Sequence, residues 1–251
     1  MRDGEAMETR RRVLFETGPA TATLTYYPAG SEMAPHVHER RQLSFLLAGE
    51  VQESVGGEAA DLLSPGVCSK PSGLRHANRY GRQGALILAL NLAEEAGGEY
   101  RGWRETAQVR EAGALAALCL SEPARPELVL HDFLALEAPE TEPRRRARPA
   151  WLETIRERLA EAGEEELGEM AEAAGVHPVS LSRAFRRHYG VSPSLYRARC
   201  KLARAVGAVG GGTPIALAAI EGGFADQAHF SRALKREAGL TPRALQQMIA
   251  A

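Results

Sequence analysis

Three histidines and one glutamine supply the first chemistry in this chain of 251 residues. The stretch "AGSEMAPHVHERRQ" sets His36, His38 and Gln42 at even spacing. On an extended strand alternate residues share a face, so these three point one way and Glu39 points the other. His76 follows a Pro71-x-Gly73 turn further along. Three neutral imidazoles converging with one oxygen donor suit a single divalent transition metal: Zn, Fe, Mn or Ni. An amide carbonyl at Gln42 binds a cation more weakly than a carboxylate would. The alternative is therefore a pocket whose histidines hydrogen-bond an organic ligand or each other.

A second chemistry lies in the C-terminal hundred residues. "SRAFRRHYGVSP" (182–193) returns as "SRALKREAGLTP" (231–242), with six of twelve positions identical and an offset of 49 residues. From Gly175 to the C-terminus 11 Lys and Arg face 3 Asp and Glu, a net of +8 inside a chain whose total is only −1. Such a segment attracts polyanions, and nucleic acid fits better than a second protein.

Each copy reads as a short helix, a glycine turn and a second helix. Pro178 sits near the first position of the earlier second helix, where its missing N–H costs nothing. Leu181 and Phe185, with Ala184 and Tyr189, make that helix's apolar stripe. Val179, Ser182, Arg183 and Arg186 recur at i, i+3, i+4 and i+7 on the opposite face. In the later copy Phe230, Ala233 and Leu234 face inward, and Ala228, Ser231, Arg232 and Lys235 face out. "SLYRARCKLARAV" between the copies has the length of one connecting helix. A helix with one buried and one basic face fits the DNA major groove. Two units in one chain can read grooves about 34 Å apart.

The remaining elements must position these groups. Residues 12–95 carry short apolar runs between turn residues, the pattern of a β-sandwich or barrel. Residues 100–136 become helical in pattern, and residues 137–150, "EAPETEPRRRARPA", read as a linker. Its Arg144–Arg146 run is either a phosphate contact or simply solvated. Cys68, Cys119 and Cys200 lie far apart without a CxxC, which suggests neither a disulfide framework nor a zinc finger. With no secretory signal and no span of about 18 apolar residues, a cytoplasmic protein is expected. The β part and the helical part are expected to have separate cores.

Residues 151–251 resemble the tandem helix-turn-helix domain of the AraC/XylS family of bacterial transcription regulators, with "GFADQAHFSRALKREAGLTP" similar to that family's signature. By that resemblance Val179, Ser182 and Arg183 read bases from the first unit, and Gln227, Ala228, Ser231 and Arg232 from the second. Arg183 and Arg232 either pair bidentately with guanine or hold phosphate. The N-terminal half resembles the two cupin motifs. The first runs Gly30, five residues, His36-x-His38, three residues, Gln42, six residues, Gly49. The second runs Gly66, four residues, Pro71-x-Gly73, two residues, His76, then Asn78. Cupins usually place glutamate where Gln42 stands.

The expected fold is thus mixed and two-domain: a cupin β-barrel sensor (1–95), a helical segment offering a dimer surface (96–136), a linker (137–150) and an all-α DNA-binding domain (151–251). The expected function is a non-enzymatic DNA-binding transcription regulator and activator whose cupin senses a metal ion or small molecule. The alternatives are a metallocupin enzyme, an oxygenase or isomerase, fused to a DNA-binding domain, and a scaffold barrel with no sensing role.

Overall fold

The computed structural model describes residues 8–62, 65–93, 99–106, 108–121, 126–136, 149–161 and 165–249. The linker, with Arg144–Arg146, falls almost wholly outside them. The strands are β1 (Arg10–Glu16), β2 (Ala20–Tyr27), β3 (Glu32–His36), β4 (Arg41–Val55), β5 (Glu58–Leu62), β6 (Gly66–Lys70), β7 (His76–Leu92) and β8 (Arg101–Glu105). The helices are α1 (Val109–Ser121), α2 (Pro126–Ala135), α3 (Ala150–Ala160), α4 (Leu167–Ala173), α5 (Pro178–Tyr189), α6 (Pro193–Gly210), α7 (Ile215–Glu221), α8 (Gln227–Ala238) and α9 (Pro242–Ile249).

All strand pairs are antiparallel, in the order β1-β2-β7-β4-β6-β8, with β3 added on β7 and β5 on β4. The path is open at β1 and β8, so the strands make a sandwich and not a closed barrel. β4 and β7 run through both layers, and their register slips near Ala48 and Gly49. At that corner a Cβ on Gly49 would stand 2.0 Å from the Gly84 carbonyl oxygen. Only glycine permits so close a backbone approach.

Leu46, Val51, Cys68, Tyr80, Ala85, Ile87 and Trp103 pack together between the layers. The other face of the larger layer, with Leu24, Tyr26, Phe45 and Leu88, is covered by helices. Residues 101–105 form a strand where a helical pattern was expected. Pairing with β6 and burial of Trp103 (6% exposed) override local propensity there. α1 and α2 are helical as expected; α1 packs against the strands, and α2 packs against α1 with Phe133 reaching Phe15 of β1.

The expectation of separate cores holds for the first helical unit only. Leu152, Ile155, Met170, Leu181, Phe185 and Tyr196 close a core of their own. Phe230, Leu234, Leu240, Leu245 and Met248 of the second unit belong instead to one cluster with Leu24, Phe45, Leu88, Val109 and Phe133. α1 meets α8 so closely that a Cβ on Gly113 would stand 1.5 Å from the Ala238 carbonyl oxygen.

The repeated glycines expose this asymmetry. Gly190 and Gly239 cap α5 and α8 in the left-handed region, at φ 77° and 69°. An added Cβ would meet the half-exposed Glu105 carboxylate at Gly190, but the Arg110 carbonyl oxygen at 1.9 Å at Gly239. A carboxylate can swing aside and a helix backbone cannot. Gly190→Ala should therefore cost about 1–2 kcal/mol, the left-handed penalty alone. Gly239→Ala should add roughly 1–3 kcal/mol of overpacking. Urea denaturation of both full-length variants measures the difference.

Candidate nucleic-acid interface and histidine pocket

α4, the turn at Gly175 and α5 form the first helix-turn-helix; α7, the Gly222-Gly223 turn and α8 form the second. The second helix of each is started by a side-chain cap. His177 Nδ1 accepts from the Val179 amide at 3.3 Å, and Asp226 Oδ1 accepts from the His229 amide at 2.6 Å. Leu181 and Phe185 of α5, and Phe230 and Leu234 of α8, are wholly buried. Their burial turns the opposite faces outward.

On α5, Val179 (50% exposed), Arg183 and Arg186 are exposed beside the half-buried Ser182, around one shallow groove. On α8, Gln227, Ala228, Arg232 and Lys235 are exposed. Ser231 donates its hydroxyl to the Gln227 carbonyl of its own helix at 2.7 Å, leaving its oxygen as an acceptor. Among the described residues Arg183, Arg186, Arg232 and Lys235 have no acidic partner. Two unneutralised basic helix faces are what the major groove accepts.

The three histidines come together, though not by strand parity. β3 ends at His36, and His38 lies in the turn before β4. His76 opens β7 opposite His36. One nitrogen from each ring lies within 4.8 Å of the others. His36 Nδ1 contacts the Ala34 carbonyl at 2.8 Å, which leaves Nε2 as its lone-pair nitrogen. The Nε2 atoms of His36 and His76 are buried without a partner. Orphaned buried imidazole nitrogens facing one point fit a metal ion.

Gln42 lies on a different strand from His36, and its amide is already engaged. Nε2 donates to Asn91 Oδ1 at 3.0 Å, and Oε1 accepts from Ser44 at 3.1 Å. The carboxylate that reaches the histidines is Glu53, which the sequence reading missed. Its side chain is fully buried, with Oε1 2.9 Å from His76 Nδ1 and 3.2 Å from Lys70 Nζ. Oε2 accepts from Tyr100 at 2.9 Å and from Cys68 at 3.3 Å. Lys70, itself 2% exposed, also lies 5.3 Å from the Trp103 ring. No spacing rule marks Glu53; "VQESVGGE" reads as solvated strand and turn.

The environment settles the protonation of this group. Burial pushes His38 down to about 4, with His76, His36 and Lys70 adding to the effect. Burial also lowers His76, against the pull of Glu53. For Glu53 burial works upward, but His76 and Lys70 outweigh it and hold the carboxyl at about 2. Burial raises the Cys68 thiol to about 12, so it stays protonated. Near neutral pH His38 and His76 are thus neutral imidazoles beside an ionised Glu53, the state coordination requires of these groups.

Residues 170–248 match the family model described as a helix-turn-helix domain. No curated protein matches the chain. Among solved structures it is similar to a conserved protein of unknown function from Streptococcus pyogenes, at 20% identity over 37% of this chain and 80% of that one, TM-score 0.33. KdgF from Halomonas sp. is similar at 21% identity over 38% and 86%, TM-score 0.33. A cupin superfamily protein from Desulfitobacterium hafniense is similar at 17% over 37% and 84%, TM-score 0.33. No helix among the described residues is long and apolar enough to cross a membrane.

His38 gives a test by pH. Its folded pKa lies below the ordinary value, so the unfolded chain takes up the proton first. Its contribution to stability is complete above about pH 6.5 and drains away as pH falls toward 4. The metal-free protein should lose stability across that window, and His38→Asn should flatten the loss; denaturation midpoints at stepped pH measure it. Geometry and family match agree that the C-terminal part of this chain, residues 170–248, is a helix-turn-helix region.

Proposed function

We propose that the protein is a DNA-binding transcription regulator of AraC/XylS type. In this reading residues 1–95 sense, 96–136 provide a dimer surface, 137–150 link, and 151–251 bind DNA in the cytoplasm. The observation that carries it is the pair of exposed basic faces, on α5 and α8, without acidic partners. Val179, Ser182, Arg183 and Arg186 read one groove segment; Gln227, Ala228, Ser231, Arg232 and Lys235 read the next. Arg183→Ala and Arg232→Ala in the full chain should each relax base preference at a separate position by roughly 1–3 kcal/mol. Binding-site selection with each variant checks this, and uniform weakening on every sequence would make both arginines phosphate contacts.

In the same reading the pocket holds one divalent transition metal on His36, His38 and His76. Glu53 sets the His76 ring from behind, as outer-shell carboxylates do. A route from pocket to DNA face supports sensing. Tyr100, bonded to Glu53, precedes β8, and β8 ends at Glu105, whose Oε1 is 3.2 Å from Arg199 of α6. Arg199 Nε lies 3.7 Å from Glu237 of α8. On β4, Glu50 accepts from Tyr196 of α6 at 2.6 Å, three residues before Glu53. Glu53→Gln should weaken metal binding about 10–100-fold. His76→Ala should abolish it, together with any metal-dependent change in DNA affinity, while metal-independent DNA binding remains. Elemental analysis beside DNA titration with and without added zinc measures both.

A further inference from the structure

We propose that the first strand of the sheet is a third DNA contact: Arg10 and Arg12 of β1, with Arg243 of α9, hold the phosphate backbone beside the second helix-turn-helix unit. The proposal rests on the reading of that unit as DNA-binding. Arg10, Arg11 and Arg12 are all exposed on an edge strand. Directly opposed residues of an antiparallel pair share a face. Arg10 opposes Tyr26 and Arg12 opposes Leu24, so both stand on the helix-covered face of the sheet. Arg11 opposes Thr25 and points to the other face.

α9 packs against β1 on that helix-covered side. Tyr26 ties the strand pair to the start of the second unit. Its ring lies against Gly210, where an added Cβ would be 3.0 Å from Tyr26 Cδ1. From Gly210 the chain passes through Gly212, Thr213 and Pro214 into α7. The Tyr26 ring therefore joins the Arg10 end of β1 to the loop that opens the unit's first helix. In a helix-turn-helix that first helix crosses the DNA backbone while the second enters the groove.

The chemistry at this junction favours an anion. Gly212, Thr213, Pro214, Arg243, Gln246 and Gln247 line an open cleft that has no acidic side chain. Among the described residues neither Arg10, Arg11, Arg12 nor Arg243 has an acidic partner. Arg79, Arg156, Arg158 and Arg199 elsewhere are each paired with glutamate. Glu16 stands at the far end of β1, and the exposed Glu8, two residues before Arg10, forms no ion pair with the run among the described residues. Unpaired guanidinium groups of this kind suit phosphate, which they bind bidentately.

A charged edge also deters strand pairing between chains, a role that needs no DNA. The test separates the two. Full-length wild type, R10A/R12A, R11A and R232A are titrated with two duplexes of about 30 base pairs, one of random sequence and one obtained by binding-site selection with wild type, across a range of salt, by fluorescence anisotropy. R10A/R12A should lower the log–log salt slope by about 1.8, two contacts at 0.9 each. It should weaken specific and random duplexes alike, and R11A should keep the wild-type slope. A wild-type slope for R10A/R12A, with Arg232→Ala still weakening binding, overturns the third contact and leaves the edge-guard role. Equal losses in R11A and R10A/R12A also overturn it, because general charge would then account for both. Failure of wild type to bind either duplex overturns the DNA-binding reading itself, and the proposal with it.

Discussion

The apolar cluster that runs from the sheet into α8 and α9 is the constraint on which the arrangement of this chain depends. A free helix-turn-helix unit must close its own core. The second unit here closes its core with the sheet's outer face and α1, so Phe230 and Leu234 are buried jointly with Phe45 and Phe133. Apolar burial contributes about 25 cal/mol per Å2, and separating these elements would return all of that area to water. The DNA-facing side of α8 is thereby held in fixed relation to the strands. Its residues are outward because everything opposite them is spoken for.

A different balance operates between the sheet layers. An ionised Glu53 in a dry interior is tolerable only because His76, Lys70, Tyr100 and Cys68 all turn toward it. This group fills the interior with charge and hydrogen bonds where a small sandwich would ordinarily place aliphatic side chains. Removing one partner leaves the others buried and uncompensated. The histidine pocket is therefore not a detachable feature; it is continuous with what holds the two layers together.

Much of this was legible in residue types and spacing, because a repeat at constant offset carries its own geometry. Gly190 and Gly239 share the left-handed cap, Phe185 and Leu234 share burial, and the basic faces between them follow from helical periodicity. The convergence of His36, His38 and His76 was legible too, although strand parity was the wrong reason: the strand stops at His36. Glu53 was not legible, since its burial depends on β4 turning through a corner at Gly49 and on Lys70 arriving from another strand. The same limit hid β8, whose five residues make a strand only because β6 offers an edge. The shared core was hidden for a related reason. Local pattern shows that α9 has an apolar face, and only the assembled chain shows what that face meets.

The two helix-turn-helix units are consequently attached to the sheet by unlike means. The second is fused to it through a continuous core. The first keeps a core of its own and touches the sheet through polar contacts: Tyr196 with Glu50, Arg199 with Glu105, and the weak exposed pair Arg82 with Glu157 at 3.9 Å. Of these only Arg82–Glu157 is exposed on both sides, and such a pair contributes at most about 1 kcal/mol and exchanges readily with water. α6 spans the divide, with Tyr196 and Cys200 in the first core and Leu202 to Val209 in the second. Eighteen residues of unbroken helix make a rod of about 27 Å, stiff over that length. Movement of the first unit relative to the sheet would therefore break polar contacts, among them Glu50 with Tyr196 and Arg156, Glu105 with Arg199, and Gln83 with the Ala160 carbonyl. Glu50 lies three residues before the buried Glu53 on β4, and Glu105 ends the strand that follows Tyr100, the hydrogen-bond donor to Glu53, so two of these contacts are joined through short stretches of strand to the carboxylate behind His76.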